Sequence, residues 1–112
     1  MSENQLVKAA IKYLNAIGHL AYRTHNYPVY DEKLQLWRKP RDHRKGIPDI
    51  HICLRGGGYA VIETKWSGKQ SIDQKLFQKD VERVGGTYLV AYNIDTIMKA
   101  FPSKPYSGSL HI

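Results

Sequence analysis

Residues 46–65 read GIPDIHICLRGGGYAVIETK, and no other stretch restricts the fold of this chain as tightly. Two short apolar runs, 50–54 and 59–62, flank Arg55 and three consecutive glycines, the pattern of two strands joined by a tight turn. Asp49 stands at the mouth of the first run, and Glu63 and Lys65 stand at the end of the second. Side chains two apart on a strand point to the same side, so Glu63 and Lys65 share a face. A three-residue loop over 56–58 pairs Arg55 with Tyr59 and sets Asp49 opposite Lys65, diagonal to Glu63. The odd loop length keeps Asp49 and Glu63 on one face, whereas an even length would separate them. Two acids and a lysine at one strand edge burden a small core. Their plainest use is to hold a divalent metal beside a general base or charge stabiliser.

With 112 residues, 42% hydrophobic content, eight Tyr, two Trp and two Phe, the chain suits one compact domain with a real core. No stretch approaches 18 consecutive apolar residues and no charged-then-apolar leader opens the chain, so a soluble cytoplasmic protein without membrane contact is expected. The single cysteine, Cys53, falls in an apolar run and is expected to be a small buried hydrophobe. A formal net charge of +7 favours an anionic partner. Six of the seventeen Lys and Arg fall between Lys33 and Lys45, directly before the Gly46 stretch.

Ser2 is an N-cap for a helix over 3–17, with an apolar stripe of Leu6, Val7, Ala10, Ile11, Leu14 and Ile17 and a stop at Gly18. Glu3 falls within that stripe, either as a favourable charge for the helix dipole or leaning toward the carboxylate site. Gln5 is expected to be solvated. The alternating, aromatic segment 19–30 suggests a strand interrupted at Pro28, with 34–38 as its partner and 31–33 as the turn. Its tyrosines and Trp37 interleave with Arg23, Arg38 and Lys39. They suit either core packing or stacking on bases.

The basic run KPRDHRK over 39–45 leads into Gly46 and suits phosphate contact through Lys39, Arg41, Arg44 and Lys45. Gly46 and Pro48 bend the backbone that aims Asp49. A second helix starts at Ser71, with Gln74 three residues on in capping-box spacing, and ends at Gly85-Gly86. Lys69 and Lys75 add basic charge before and on this helix. A strand over 87–92 then implies a parallel crossover, a short helix follows over 95–101, and 102–112 forms an irregular tail.

The ordered set Gly-Ile-Pro-Asp49, Glu63-Thr-Lys65 and Ser71-Ile-Asp-Gln74 resembles the PD-(D/E)xK nuclease superfamily. Together with Val84-Gly-Gly-Thr-Tyr-Leu-Val it is similar to the small stand-alone VRR-NUC proteins of phages and bacteria. The resemblance spans roughly residues 2–93. It implies an α/β restriction-endonuclease-like αβββαβ core, a mixed central sheet flanked by helices, as a single nuclease domain over 1–112. It also implies Mg²⁺, with Mn²⁺ able to substitute, held by Asp49, Glu63, the Thr64 backbone carbonyl and, through water, Glu3. Lys65 would orient or deprotonate the attacking water or stabilise the transition state, and Gln74 would reach the substrate or the water. By the same resemblance the chain would be a structure-specific DNA endonuclease, resolving four-way Holliday junctions as a homodimer, in the host cytoplasm if phage-encoded.

Other readings stay open. A nickase or flap-cutting repair nuclease would use the same site. A nucleic-acid-binding protein would keep the fold without cutting, though two acids facing a phosphate backbone gain it nothing. A basic α/β domain with an accidental Glu-x-Lys would place Asp49 and Glu63 far apart. His19, His25, His43, His51 and His111 lack zinc-ligand spacing. No G-x-x-x-x-G-K-[ST] loop is present, so no nucleotide cofactor is implied. His51 shares the Asp49 face and reads either as a satisfied core or hairpin histidine or as a neighbour of the site.

Overall fold

The structure, a computed structural model, describes residues 2–24, 29–38 and 44–103. Helix α1 (Glu3–Ala16) begins at a reciprocal cap: the Ser2 hydroxyl accepts from the Gln5 amide, and Gln5 Oε1 accepts from the Ser2 amide at 2.7 Å. Gln5, expected in solvent, thus closes the helix start. Leu6, Val7, Ala10 and Leu14 form its buried stripe, and Gly18 leaves it at φ +102°. The Asn15 side chain then acts as a strand neighbour, exchanging two 3.0 Å hydrogen bonds with the Ala21 backbone and locking the helix to β1 (Leu20–Arg23).

The next strands are β2 (Val29–Asp31), β3 (Leu36–Arg38), β4 (Ile50–Cys53) and β5 (Tyr59–Thr64). Helix α2 (Ile72–Arg83), β6 (Thr87–Ala91) and α3 (Ile94–Ala100) follow. The main sheet runs β1-β4-β5-β6, antiparallel except for the parallel β5–β6 pair joined through α2. Without β2 and β3, the order through β6 is the expected αβββαβ core, a mixed sheet with helices packed on it.

The expected 19–30 strand is split. Its first part joins β4, register Ala21 to Ile52, and its second part forms a separate hairpin with β3. The turn of that hairpin lies at 32–35 rather than 31–33, because Asp31 Oδ1 accepts from the amides of Lys33 and Leu34 and Gln35 takes φ +52°. Its described aromatics do not pack in the core: Trp37 is 68% exposed, Tyr30 45% and, on β1, Tyr22 52%, while Tyr27 falls outside the described residues. Tyr30 and Trp37 instead meet edge to face at 5.2 Å.

Alternation in β4 and β5 divides the sheet into two faces. Ile50, Ile52, Ala60 and Ile62 pack with Ala21, Ala91, Ile97 and the α1 stripe in the main core. On the other face Val61 packs with Val81 of α2, Tyr88 of β6 and Phe77. Cys53, expected to be buried, lies exposed at the end of β4. Its neighbour Ile52 takes the core face, and strand parity turns Cys53 outward.

Candidate active site

The β4–β5 hairpin sets the site. Its three-residue turn is 55–57, closed by Leu54 N donating to Gly58 O and Gly57 N donating to Leu54 O, both at 2.8 Å. Gly56 and Gly57 carry φ +97° and +104°, so these two glycines form the bend while Gly58 extends β5. The strand register pairs Ile50 with Ile62 and Cys53 with Tyr59. Carried one residue further, it sets Asp49 across from Glu63, not from Lys65 as the 56–58 loop would have it. The odd loop length survives this shift, so the two carboxylates do share a face.

Asp49 is half-buried and held by Thr64. Its Oδ2 accepts from the Thr64 amide at 3.1 Å and from the Thr64 hydroxyl at 2.6 Å, leaving Oδ1 for another partner. The Asp49 carbonyl accepts from Thr24 N at 2.8 Å, tying the loop to the end of β1. Upstream, Gly46 (φ +79°) lies so close to α2 that a Cβ there would sit 2.4 Å from the Asp73 carbonyl carbon and oxygen. The bend that aims Asp49 therefore rests on the first turn of α2.

Glu63 is the most buried acid of the site, only 2% exposed. Tyr88 donates to Oε1 at 2.7 Å, while Oε2 is buried, accepts no hydrogen bond and stands 3.8 Å from the Lys65 ammonium. Burial pushes the Glu63 carboxyl above the ordinary carboxylate range. The Tyr88 hydrogen bond and Lys65 pull it down, while Asp49 and Glu3 push it up. Lys65 is fixed at its backbone, donating to Ala91 O at 2.9 Å. Burial, then the bond to Glu63, drives the Tyr88 phenol well above its usual value, so it stays a donor.

The remaining expected residues divide. Glu3 is exposed on the first turn of α1 and acts on Glu63 through its charge. Among the described residues no group of three His, Cys, Asp or Glu is placed to hold a metal ion. The carboxylate pair is thus Asp49 and Glu63, with Glu3 at longer range. Gln74 closes the α2 capping box, its Oε1 accepting from the Ser71 amide at 2.7 Å. Arg44 is ion-paired with Asp80, and its guanidinium lies 5.2 Å from the Phe77 ring centroid. Lys45, Lys69 and Lys75 are exposed, and Lys39 and Arg41 fall outside the described residues.

His51 is half-buried with ring neighbours Tyr22 and Tyr59 at 5.9 and 5.7 Å, and burial lowers its pKa. Across the hairpin the Tyr59 hydroxyl lies 3.5 Å from the His51 Nδ1, while its Nε2 has no hydrogen-bond partner among the described residues. The sequence does not point to Tyr88 or to the Thr64 side chain. Thr64 stands beside a candidate acid, but which group its hydroxyl meets follows only from the hairpin register.

No family model matches the chain, and no curated protein matches it. A solved structure described as a VRR_NUC domain does, at 19% identity and a TM-score of 0.65, covering 87% of this chain and 90% of that one. At such identity the likeness concerns the fold. The mixed sheet and its helices are the restriction-endonuclease-like arrangement that the motifs implied. No helix among the described residues is long and apolar enough to cross a membrane.

Proposed function

We propose that this chain is a metal-dependent nuclease that hydrolyses DNA phosphodiester bonds. The observation that carries the reading is Glu63: a buried carboxylate beside Asp49 and Lys65, with one oxygen held by Tyr88 and the other without a hydrogen bond. A buried carboxylate oxygen without a hydrogen bond is costly, and the Lys65 ammonium at 3.8 Å meets it only at ion-pair distance, which leaves a place for a closer cation. The donor set is hard oxygen, which suits Mg²⁺ or Mn²⁺ better than Zn²⁺. Asp49 through its available oxygen, Glu63 and the Thr64 carbonyl would hold the ion, with Glu3 joining through water.

Such an ion, when bound, lowers the pKa of an attacking water and offsets charge on the phosphoryl group. The protein's own residues do the rest. Thr64 fixes the rotamer of Asp49, and Lys65 places positive charge beside Glu63 where the phosphate would arrive. Lys65 also stands as the group to orient the water or accept its proton. Gln74 belongs to the α2 N-terminus that supports the Asp49 bend; its Oε1 is held in the cap, and its Nε2 is the group that would donate to substrate or water.

The exposed Lys45, Lys69 and Lys75, with Arg44, supply basic surface for a DNA backbone, and Lys39 and Arg41, outside the described residues, would add charge from the preceding segment of sequence. Trp37 and Tyr30 offer rings for unpaired bases near a branch. A homodimer acting on a four-way junction is the substrate geometry we favour, since a two-fold pair presents two sites to two strands. The chain would work as a single nuclease domain.

The test is cleavage of a labelled four-way junction and a linear duplex in Mg²⁺, in EDTA and with Asp49→Ala. Metal-dependent cutting of the junction that the variant loses supports the whole proposal. Cutting of both substrates keeps the nuclease and removes the junction preference. Binding without cutting, in Mg²⁺ and in Mn²⁺, overturns the enzyme reading in favour of a binding protein.

A further inference from the structure

We infer that Tyr88 is a positioning residue for the metal-binding carboxylate, fixing the orientation in which Glu63 presents its second oxygen to the site. The inference rests on the metal site proposed above and adds a residue from a different element, β6. The parallel register pairs Val61 with Tyr88 and Glu63 with Val90, so Tyr88 lies one row along the sheet from Glu63 on the same face. From there its hydroxyl donates to Oε1 at 2.7 Å. That contact leaves Oε2 as the oxygen beside Lys65.

The ring itself is held. Tyr88 is 8% exposed, packed with Val61, Val81 and Phe77, and its ring lies 6.5 Å from that of Phe77 at a 59° tilt. The Gln70 side chain acts on the same hydroxyl, lowering its pKa against the larger upward push of burial and Glu63. Gln70 is in turn anchored, its Nε2 donating to Gln78 Oε1 of α2 at 3.0 Å. The hydroxyl that meets Glu63 is thus set by a ring wedged between β5, β6 and α2. A carboxylate with one oxygen fixed this way cannot swing its plane freely, so the position of its second oxygen is defined before an ion arrives. Partners of this kind set metal affinity without touching the metal.

Titration of the metal-free protein with Mn²⁺ alone, followed by calorimetry, reads the effect directly. Tyr88→Phe keeps the ring and removes the donor. We expect its Mn²⁺ affinity to fall by about tenfold or more. The Mg²⁺ concentration for half-maximal cleavage should rise in parallel, while affinity for a labelled DNA duplex in EDTA stays unchanged. Tyr88→Met fills the same place with a flexible apolar chain and no hydroxyl, and should weaken Mn²⁺ in the same direction.

A Tyr88→Phe protein that is less stable yet binds Mn²⁺ as the wild type does overturns the inference, since the hydroxyl would then serve stability alone. If Tyr88→Phe does not fold, Tyr88→Met, which also lacks the hydroxyl, decides, and an unchanged Mn²⁺ affinity there also overturns it. A wild-type protein that takes up no Mn²⁺ removes the metal site itself, and the role of Tyr88 with it.

Discussion

Gly46→Ala tests how the loop that carries Asp49 is braced against α2. Two separable costs act at this position. A non-glycine residue at φ +79° costs about 1–2 kcal/mol for the left-handed backbone alone. The new methyl would also lie 2.4 Å from the Asp73 carbonyl carbon and oxygen and 2.7 Å from the Gln74 nitrogen. Restoring ordinary contact, about 3.5 Å, needs a shift of about 1 Å between two segments of backbone, one of them the capped start of a helix. Overpacking of this kind adds about 1–3 kcal/mol. Gly68→Ala is the control, because Gly68 has φ +89° and a methyl added there would meet no atom within 4 Å. It bears the conformational cost without the collision. In urea-induced equilibrium unfolding, Gly46→Ala should therefore be less stable than Gly68→Ala by about 1–3 kcal/mol. Its cleavage rate should fall further too, since Asp49 follows three residues on. Equal destabilisation in the two variants would refute the bracing argument.

Glu63→Gln should stabilise the metal-free protein at neutral pH. The folded state holds the Glu63 proton more tightly than the unfolded state does, so wild-type stability is fullest below the ordinary carboxylate value and declines as pH rises through the elevated one. Unfolding midpoints measured on both sides of that window should separate at the upper pH and converge at the lower. A variant weaker than wild type at both would contradict this, and Mg²⁺ should raise the melting temperature of the wild type but not of the variant. Trp37→Ala, on a hairpin 68% exposed at that ring, should change stability by less than about 0.5 kcal/mol. In a binding titration it should weaken single-stranded or branched DNA by about 1–3 kcal/mol for each stacked base, and unchanged affinity would exclude stacking there. Cys53 should react at once with a thiol reagent in native buffer, one thiol per chain, and a requirement for denaturant would contradict its exposure.

Much of the site is legible in the sequence because it rests on short-range rules. Strand parity and an odd turn place Asp49 and Glu63 on one face, and the Ser71–Gln74 spacing announces the α2 cap. The exposed Cys53 shows the limit of composition, since an apolar run does not say which of its members face outward. Gln5 shows another. It stands as far from Ser2 as Gln74 does from Ser71, yet a polar residue on a first helical turn is equally at home in water, and only the structure shows it bonded.

The local chemistry of the chain determined the helices, the crossover and the acid pair with its lysine, through periodicity, capping spacing and turn residues acting over a few positions. Tertiary structure decided the rest. Residues 20–23 chose β4 as a partner over the nearer 36–38, because pairing there buries Ala21 in the core beneath α1. The hydrogen bonds of Asp49 and Glu63 were settled by register, which sets Thr64 beside one and Tyr88, twenty-five residues away in sequence, beside the other. Local signals act along the chain, but register is decided by which faces can be buried together, and that depends on every element at once.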